Sequence, residues 1–573
     1  MFKILELKGA ADLEFGNVRV ERKVPCVLRD GVTLYADVYR PAASGEYPVL
    51  LLRQPYGRRI ASTVSHAHPV WYAGQGYIVV VQDVRGRGDS DGEFIPFMHE
   101  AEDGFDTVKW AAELPESNGR VGMYGFSYQG SAQWAAASQH PPQLYAIAPS
   151  MCAADLYHGW MYPYGSFYVQ SALPWAYQLA RDSARRAGDT EAESYCSQVM
   201  GNPGAVLGQL PYNAGHPILE KYCPAYFDWV NRPEYDEYWA RLDWMGRFLE
   251  KPVPAFHIGG WYDFLLDGTL QSYSKLEGQT RSADFFHKLD IGPWVHIPWG
   301  RKPGGKDHGP DAGGNMHVRQ VQWFDYWLKG QRDNGMFEEP PIRYYERGSM
   351  EWKEAEALPD LTRGAESKPF YLSSAKTPAN GALGGGRLTA AAGDIEENAA
   401  PDVFVYDARL PMQLSSWLPD DRSVQQDRPE ILVYTSGSFE EPLNVIGAPK
   451  VKVSCQAMDG PTDLVAVLTM LLPDGTASFL SVGRTEIGKA DGAEGISPWE
   501  EADIPMRPFA AEFPKGAALR LELTGSAFPI LIRHPNGAPV RDAGSLSAAD
   551  LHIATVAVSS RPGAASVVEL PVR

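Results

Sequence analysis

RVGMYGF, residues 120–126, runs without a break into SYQGSAQWAAASQ, residues 127–139. The first part is a short apolar run of the kind a covered central strand needs, and the second is rich in good helix formers. A strand that becomes a helix through a Gly-bracketed turn places Ser127 on the turn itself. A serine so placed projects its hydroxyl above the sheet, and small neighbours are required where the helix passes close to the strand. The strict G-x-S-x-G spacing is not met, because Gln129 holds the second glycine position and Gly130 comes one residue later. Taken alone, the string is better explained by an ordinary Gly-rich turn.

Outward from this turn the chain alternates strand-like and helix-like segments, the pattern of a sheet with helices on its faces. VERKVPCVLRDGVTLYADVYRP (20–41) reads as a hairpin turning at Asp30-Gly31. YPVLLLRQ (47–54) and YIVVVQD (77–83) are continuous apolar runs suited to central strands. EAEDGFDTVKWAAEL (100–114) reads as an amphipathic helix with its acids first. Downstream, the strands VPAFHIGG (253–260) and DFFHKLDIG (284–292) flank a helix near DGTLQSYSKL (267–276), and a long amphipathic helix surrounds VRQVQWFDYWLKG (318–330).

The 573 residues are too many for one α/β domain, and at ~150 residues per domain they suggest roughly three to four units. Residues 1–154 and 248–365 read as two segments of one α/β body. Residues 155–247 read as a helical cap in which 18 of 93 residues are aromatic, against 12% for the whole chain. From 366 to 573, short β-branched runs separated by Pro/Gly/Asp turns imply a β-sandwich of the jelly-roll kind. The stretch GALGGGRL (381–388) reads as a short flexible loop.

Composition excludes several functions. With 52 basic and 71 acidic residues the net charge is −19, and no Lys/Arg block offers the positive surface that nucleic acid or an anionic membrane needs. Five scattered cysteines make neither a disulfide framework nor a metal or redox motif, and point to a reducing compartment. The N-terminus carries Lys3, Glu6 and Lys8 where a secretory leader would be apolar, so the expected location is cytoplasmic. His66-Ala67-His68 is the one close histidine pair and has no carboxylate or cysteine beside it, so a loop is expected there rather than a metal site.

A serine nucleophile needs a base and an acid that orients the base, and in α/β-hydrolases they follow in the order Ser, Asp/Glu, His. Gly260-Trp-Tyr-Asp263 and Gly292-Pro-Trp-Val-His296 each end just past a strand. Asp263 and His296 therefore fall at the same sheet edge as Ser127, where open α/β sheets do their chemistry. Singly, Asp263 reads as a helix N-cap or turn residue and His296 as a surface loop residue; their coincidence in order and place is what points to catalysis. Asp267 is the rival acid and reads as a helix N-cap, and His257 as a core histidine with its polar atoms satisfied. Oxyanion donors come from the Tyr128 amide and from the loop after YPVLLLRQ, where Pro55-Tyr56-Gly57 offers a tyrosine hydroxyl in place of an HGGG run. On its own Tyr56 reads better as a packed loop aromatic.

Pro55-Tyr56, Gln82-Asp83-Val-Arg85-Gly86-Arg87-Gly88-Asp-Ser90-Asp-Gly92, Gly125-Phe-Ser127-Tyr128-Gln-Gly130, Gly260-Trp-Tyr-Asp263 and Gly292-Pro-Trp-Val-His296 together resemble the bacterial cocaine esterase and X-prolyl dipeptidyl peptidase (CocE/NonD) family of serine hydrolases. Ala153-Ala-Asp-Leu-Tyr157 extends the similarity, which covers essentially the whole chain. The resemblance implies an α/β-hydrolase body, a helical cap and a C-terminal jelly roll. It implies Ser127 as nucleophile, Asp263 as acid and His296 as base, with the Tyr56 hydroxyl and Tyr128 amide as oxyanion hole. The family elbow is G-x-S-Y-x-G, which accounts for the displaced glycine, and the DVRGRG string is expected to brace loops near the site.

The expected activity is a serine carboxylesterase (EC 3.1.1.-) that forms an acyl-enzyme and needs no metal or organic cofactor. Trp160, Tyr164 and Trp175 from the cap, Phe264, and Trp417 from the β-domain are the candidate acyl-pocket aromatics. The expected partner is a small-molecule acyl ester, with no role for nucleic acid or membrane and with a homodimer compatible with the chain. X-Pro dipeptidyl peptidase and α-amino-acid ester or β-lactam acyl hydrolase are the alternatives. Both need carboxylates for a substrate ammonium, and Phe-Leu-Leu follows Asp263 while the cap start offers only Asp155. A non-catalytic carbohydrate-binding protein is the alternative of another class, set against only 12 aromatics in residues 366–573.

Overall fold

The computed structural model of the chain describes residues 12–15, 17–59, 65–297, 299–357, 366–374, 377–392, 400–488, 496–561 and 566–573. The leader expectation thus falls largely on residues outside these. Contacts divide the chain into two compact units, Met1–Trp160 with Tyr235–Tyr345 and Glu351–Leu358, and Met161–Glu234 with Glu346–Met350 and Pro359–Arg573.

The first unit is built on a sheet of β1 (Asp12–Phe15), β2 (Val18–Val27), β3 (Thr33–Pro41), β4 (Tyr47–Gln54), β5 (Ile78–Asp83), β6 (Ser117–Phe126), β7 (Leu144–Ser150), β8 (Phe256–Tyr262), β9 (Lys288–Val295), β10 (Ile342–Glu346) and β11 (Glu351–Ala355). Their order is β1-β2-β3-β5-β4-β6-β7-β8-β9-β10-β11. The hairpin β2–β3 is antiparallel, whereas β5, β4, β6, β7, β8 and β9 run parallel in succession. Parallel strands are covered on both faces, and Val49–Leu52 and Ile78–Val81 are accordingly buried without alternation. The helix Glu100–Ala112 carries Glu100, Glu102 and Asp103 in its first turn and Lys109 in its last, matching the helix dipole. This parallel order brings the ends of β6, β8 and β9 to one edge.

The second unit combines a helical segment with the β-rich C-terminal region. The helices Val169–Arg186 and Thr190–Gly201 lie either side of Gly188, and strands from Glu366 to Val572 form a 13-stranded sheet system. Phe167 O accepts from Ile532 N at 2.8 Å, and Tyr164 O accepts from Arg484 Nη1 at 3.0 Å, so the helical segment is tied to the β-region. The fold is an α/β-hydrolase domain with a helical insertion and a C-terminal β-sandwich.

Residues 381–388 differ from expectation. A Cβ on Gly384 would stand 2.7 Å from Pro378 O, and one on Gly385 or Gly386 would run into Thr377 O or Val433 O. These glycines let backbones approach closely rather than loosen the chain, and Gly386–Thr389 is itself a strand.

His257 is a core residue between Trp134 and Tyr273, as read from its strand. Its Nε2, however, has no hydrogen-bond partner, and burial pushes its pKa well below the ordinary histidine value. Asp267 is not a cap: Leu265 holds the N-cap position of the helix Leu266–Ser274, and Asp267 lies in its first turn. All five cysteines are buried. No helix among the described residues is long and apolar enough to cross a membrane.

Candidate active site

Ser127 joins β6 to the helix Tyr128–Ala137 with φ 58° and ψ −127°, a backbone held only when its surroundings over-determine it. Here they do. Ser127 N donates to Ser150 O on β7 at 2.9 Å, and Ser127 O accepts from Gly130 N and Ser131 N at 2.8 and 3.0 Å. Gln129 Oε1 accepts from Phe126 N at 3.2 Å, so the residue in place of the second glycine fastens the turn from inside. The displaced glycine has a steric cause. A Cβ on Gly130 would meet Cys152 Sγ at 2.6 Å, Cys152 Cβ at 2.8 Å and Ser150 O at 3.0 Å. The tight passage of helix against strand falls at Gly130, one residue later than in the strict pattern.

Asp263 follows β8 and His296 follows β9. His296 Nδ1 lies 2.7 Å from Asp263 Oδ1, and His296 Nε2 lies 2.9 Å from Ser127 Oγ. The carboxylate can only accept, so Nδ1 carries the proton and Nε2 accepts from the serine hydroxyl. Asp263 is fully buried while His296 keeps 20% of its side chain exposed, so the imidazole is the face open to a reactant.

Tyr56 stands half-buried in the loop after β4, its N–H donating to Gln54 Oε1 at 3.0 Å. That loop is braced by Arg58, whose guanidinium pairs with Asp37 at 2.8 Å, with Asp89 at 2.6 Å and with Asp83, while Arg58 N donates to Asp83 Oδ1. Asp83 opens the DVRGRG string and Asp89 directly follows it, so the string acts as a structural support. Arg85 in the same string pairs with Asp103 and Asp30, and Arg87 lies over the Phe94 ring at 3.9 Å.

Of the proposed pocket aromatics, Trp160 and Phe264 belong to the first unit together with Ser127 and His296. Phe264 lies against the His296 imidazole, 4.2 Å between centroids and tilted by 40°. Trp160 lies 6.4 Å from Phe264 and 5.6 Å from Phe97, Phe97 stacks on Tyr128 at 4.2 Å, and Phe126 lies 5.2 Å from His296. Six rings therefore close a belt that begins and ends on the two neighbours of Ser127. Phe97 was not legible as a member because it lies in no motif, and Phe126 was read only as part of the turn that carries Ser127.

Tyr164, Trp175 and Trp417 belong to the second unit. Trp175 is stacked on Trp229 at 5.1 Å, and Trp417 lies under the Arg507 guanidinium at 4.1 Å with its indole N–H donating to the Tyr168 hydroxyl.

The His66–His68 pair is split. His68 Nδ1 accepts from Val70 N as the cap of a short helix. His66 is buried among Tyr124, Phe126 and Trp299, with its pKa pushed down to about 3 by burial.

Residues 30–298 match the family model of X-Pro dipeptidyl-peptidase (S15 family), and residues 334–568 match that of the X-Pro dipeptidyl-peptidase C-terminal non-catalytic domain. The cocaine esterase of Rhodococcus sp. (strain MB1 Bresler) is 31% identical over 553 residues, covering 91% of this chain and 93% of its own. Among solved structures, an α-amino acid ester hydrolase matches with a TM-score of 0.77 at 21% identity, covering 99% of both chains. An aminopeptidase from a marine sediment Thaumarchaeota archaeon matches with a TM-score of 0.76 at 22% identity and 96% coverage of both. At such identities these two likenesses speak for the fold, while the family models and the esterase speak for kinship. With a serine, a histidine and an aspartate hydrogen-bonded at one sheet edge and kinship over nine-tenths of its length, the chain belongs to the cocaine esterase and X-Pro dipeptidyl-peptidase family of serine hydrolases.

Proposed function

We propose that this hydrolase is a serine carboxylesterase (EC 3.1.1.-) that cleaves esters with a bulky or aromatic acyl group. The observation that carries the reading is the continuous hydrogen-bonded line from Asp263 through His296 to Ser127. His296 Nε2 takes the hydroxyl proton as Ser127 Oγ attacks the acyl carbon, and Asp263 holds the imidazole tautomer and stabilises its charge. The Tyr128 amide and the Tyr56 hydroxyl receive the developing oxyanion, each donor contributing ~3 to 4 kcal/mol. The tetrahedral intermediate collapses as His296 returns the proton to the departing alcohol, leaving an acyl-enzyme. Water then enters by the same route and loses its proton to His296 as it attacks the acyl carbon; the acyl–Oγ bond breaks, the acid departs and His296 returns the proton to Ser127 Oγ.

The belt of Phe97, Trp160, Phe264 and Phe126 supports an apolar acyl site. Ester over dipeptide cleavage is favoured because a substrate ammonium would need free carboxylates near the serine. Asp155 is engaged within its own turn, accepting from Tyr157 N at 3.0 Å and lying 2.6 Å from His158 Nδ1. A carbohydrate-binding role is disfavoured because nine of the twelve β-region aromatics are buried.

The test is a panel of p-nitrophenyl benzoate, Xaa-Pro p-nitroanilides and a β-lactam amide offered to the wild type and to Ser127→Ala. The expected result is aryl ester hydrolysis that disappears in the variant. Efficient anilide cleavage with little action on the ester would overturn the ester reading.

A further inference from the structure

Tyr128 does more in the fold than lend a backbone N–H. Its side chain leaves the turn and is fully buried beneath it, where the hydroxyl donates to Glu100 Oε1 at 2.8 Å. The same hydroxyl accepts from Phe97 N at 3.1 Å. The other Glu100 oxygen pairs with Arg53 at 2.6 Å, and Arg53 Nε donates to Gln82 Oε1 at 2.9 Å. Glu100 and Arg53 are both buried, so the anchor is a charge pair shielded from water rather than a surface contact. Phe97 itself holds φ 68°, a strained backbone for a side-chain-bearing residue, and its ring lies on Tyr128. One hydroxyl thus ties together the residue after Ser127, a strained turn of the ring belt and an ion pair in the body of the sheet.

We propose that Glu100 is a positioning residue of the reaction, acting through the Tyr128 hydroxyl to fix the backbone amide that follows Ser127. The proposal rests on acyl transfer at Ser127 and adds a side chain that never meets the substrate. An oxyanion donor works only if it is aimed before the charge develops. The Tyr128 amide sits at the first helical position, where the peptide plane follows the strained Ser127 backbone. An anchor on the Tyr128 side chain removes the rotation that would relax both. Burial raises the Glu100 carboxyl pKa, and the paired Arg53 guanidinium works against that rise.

The test compares Tyr128→Phe, which removes one oxygen, with Glu100→Gln and with the double variant, all on p-nitrophenyl benzoate and with a phenyl trifluoromethyl ketone as transition-state analogue. Each single variant is expected to lower kcat about 10-fold, short of the ~10²–10³-fold that deleting an oxyanion donor costs, with KM within about 2-fold. Affinity for the ketone should fall by the same factor as kcat. The double variant should be no slower than the slower single, since both act through one contact. Should Glu100→Gln fail to fold, Tyr128→Phe with the ketone measurement still decides. Wild-type kcat in Tyr128→Phe, or losses that multiply in the double variant, would overturn the proposal alone. A wild type whose turnover survives Ser127→Ala would overturn the acyl-transfer reading and the proposal with it.

Discussion

Phe264 lies on the imidazole of His296, 4.2 Å between centroids and tilted by 40°, one residue beyond the carboxylate that holds the same imidazole. Two consecutive residues therefore hold this imidazole, Asp263 by its edge and Phe264 by its face. The loop after β8 supplies both, which is why its spacing from the loop after β9 matters more than either residue alone.

Phe264→Ala should lower kcat/KM on aryl esters about 2- to 10-fold, the equivalent of the ~0.5–1.5 kcal/mol of one aromatic pair. Steady-state kinetics on benzoate and acetate esters checks this. The loss should be larger for the benzoate, because the ring serves the acyl site as well as the base.

Gly130→Ala should destabilise the protein by about 1–3 kcal/mol, as overpacking does in a filled core. The added methyl meets Cys152 Sγ and the Ser150 carbonyl, and only the sulfur is removable. Thermal unfolding should therefore show partial recovery in Gly130→Ala/Cys152→Ala. Gln129→Gly would restore the strict G-x-S-x-G spelling and should nonetheless lower the Tm, because it deletes the acceptor of Phe126 N.

Acid stability should depend on Glu339. Burial opposes its charge, but Arg319 at 2.9 Å and Lys288 at 2.8 Å outweigh burial and hold the carboxyl at about 2 against an ordinary 4.5. A depressed carboxyl contributes stability that is present above its unfolded value and lost as pH falls through the folded one. Between pH 4.5 and about 2 the wild type should lose stability more steeply than Glu339→Gln, as read from urea midpoints. Parallel curves would remove Glu339 from the account.

Much of the site was legible because Ser127, Asp263 and His296 each sit immediately after a strand. Ser127, Asp263 and His296 could be placed on one edge from the apolar runs preceding them and from their order. The DVRGRG string was legible as support, since glycines beside paired charges describe a braced turn. What was not legible depends on contacts between distant segments. Phe97 and Glu100 reach the elbow through the Tyr128 side chain, and no local pattern announces that a residue 28 positions upstream accepts its hydroxyl. Asp267 misled because an acid near a helix start suits a cap or a first turn equally, and Leu265 took the cap. The run at 381–388 misled because glycine permits both mobility and close packing, and Val433 and Thr377 settle which applies.

If Ser127 is the nucleophile activated by His296, a fluorophosphonate should react there, and peptide mass spectrometry locates the adduct. The expected result is a single phosphonyl adduct, on Ser127, absent from Ser127→Ala and formed far more slowly in His296→Ala. An adduct on another residue, or labelling of Ser127 at an undiminished rate without His296, would contradict it.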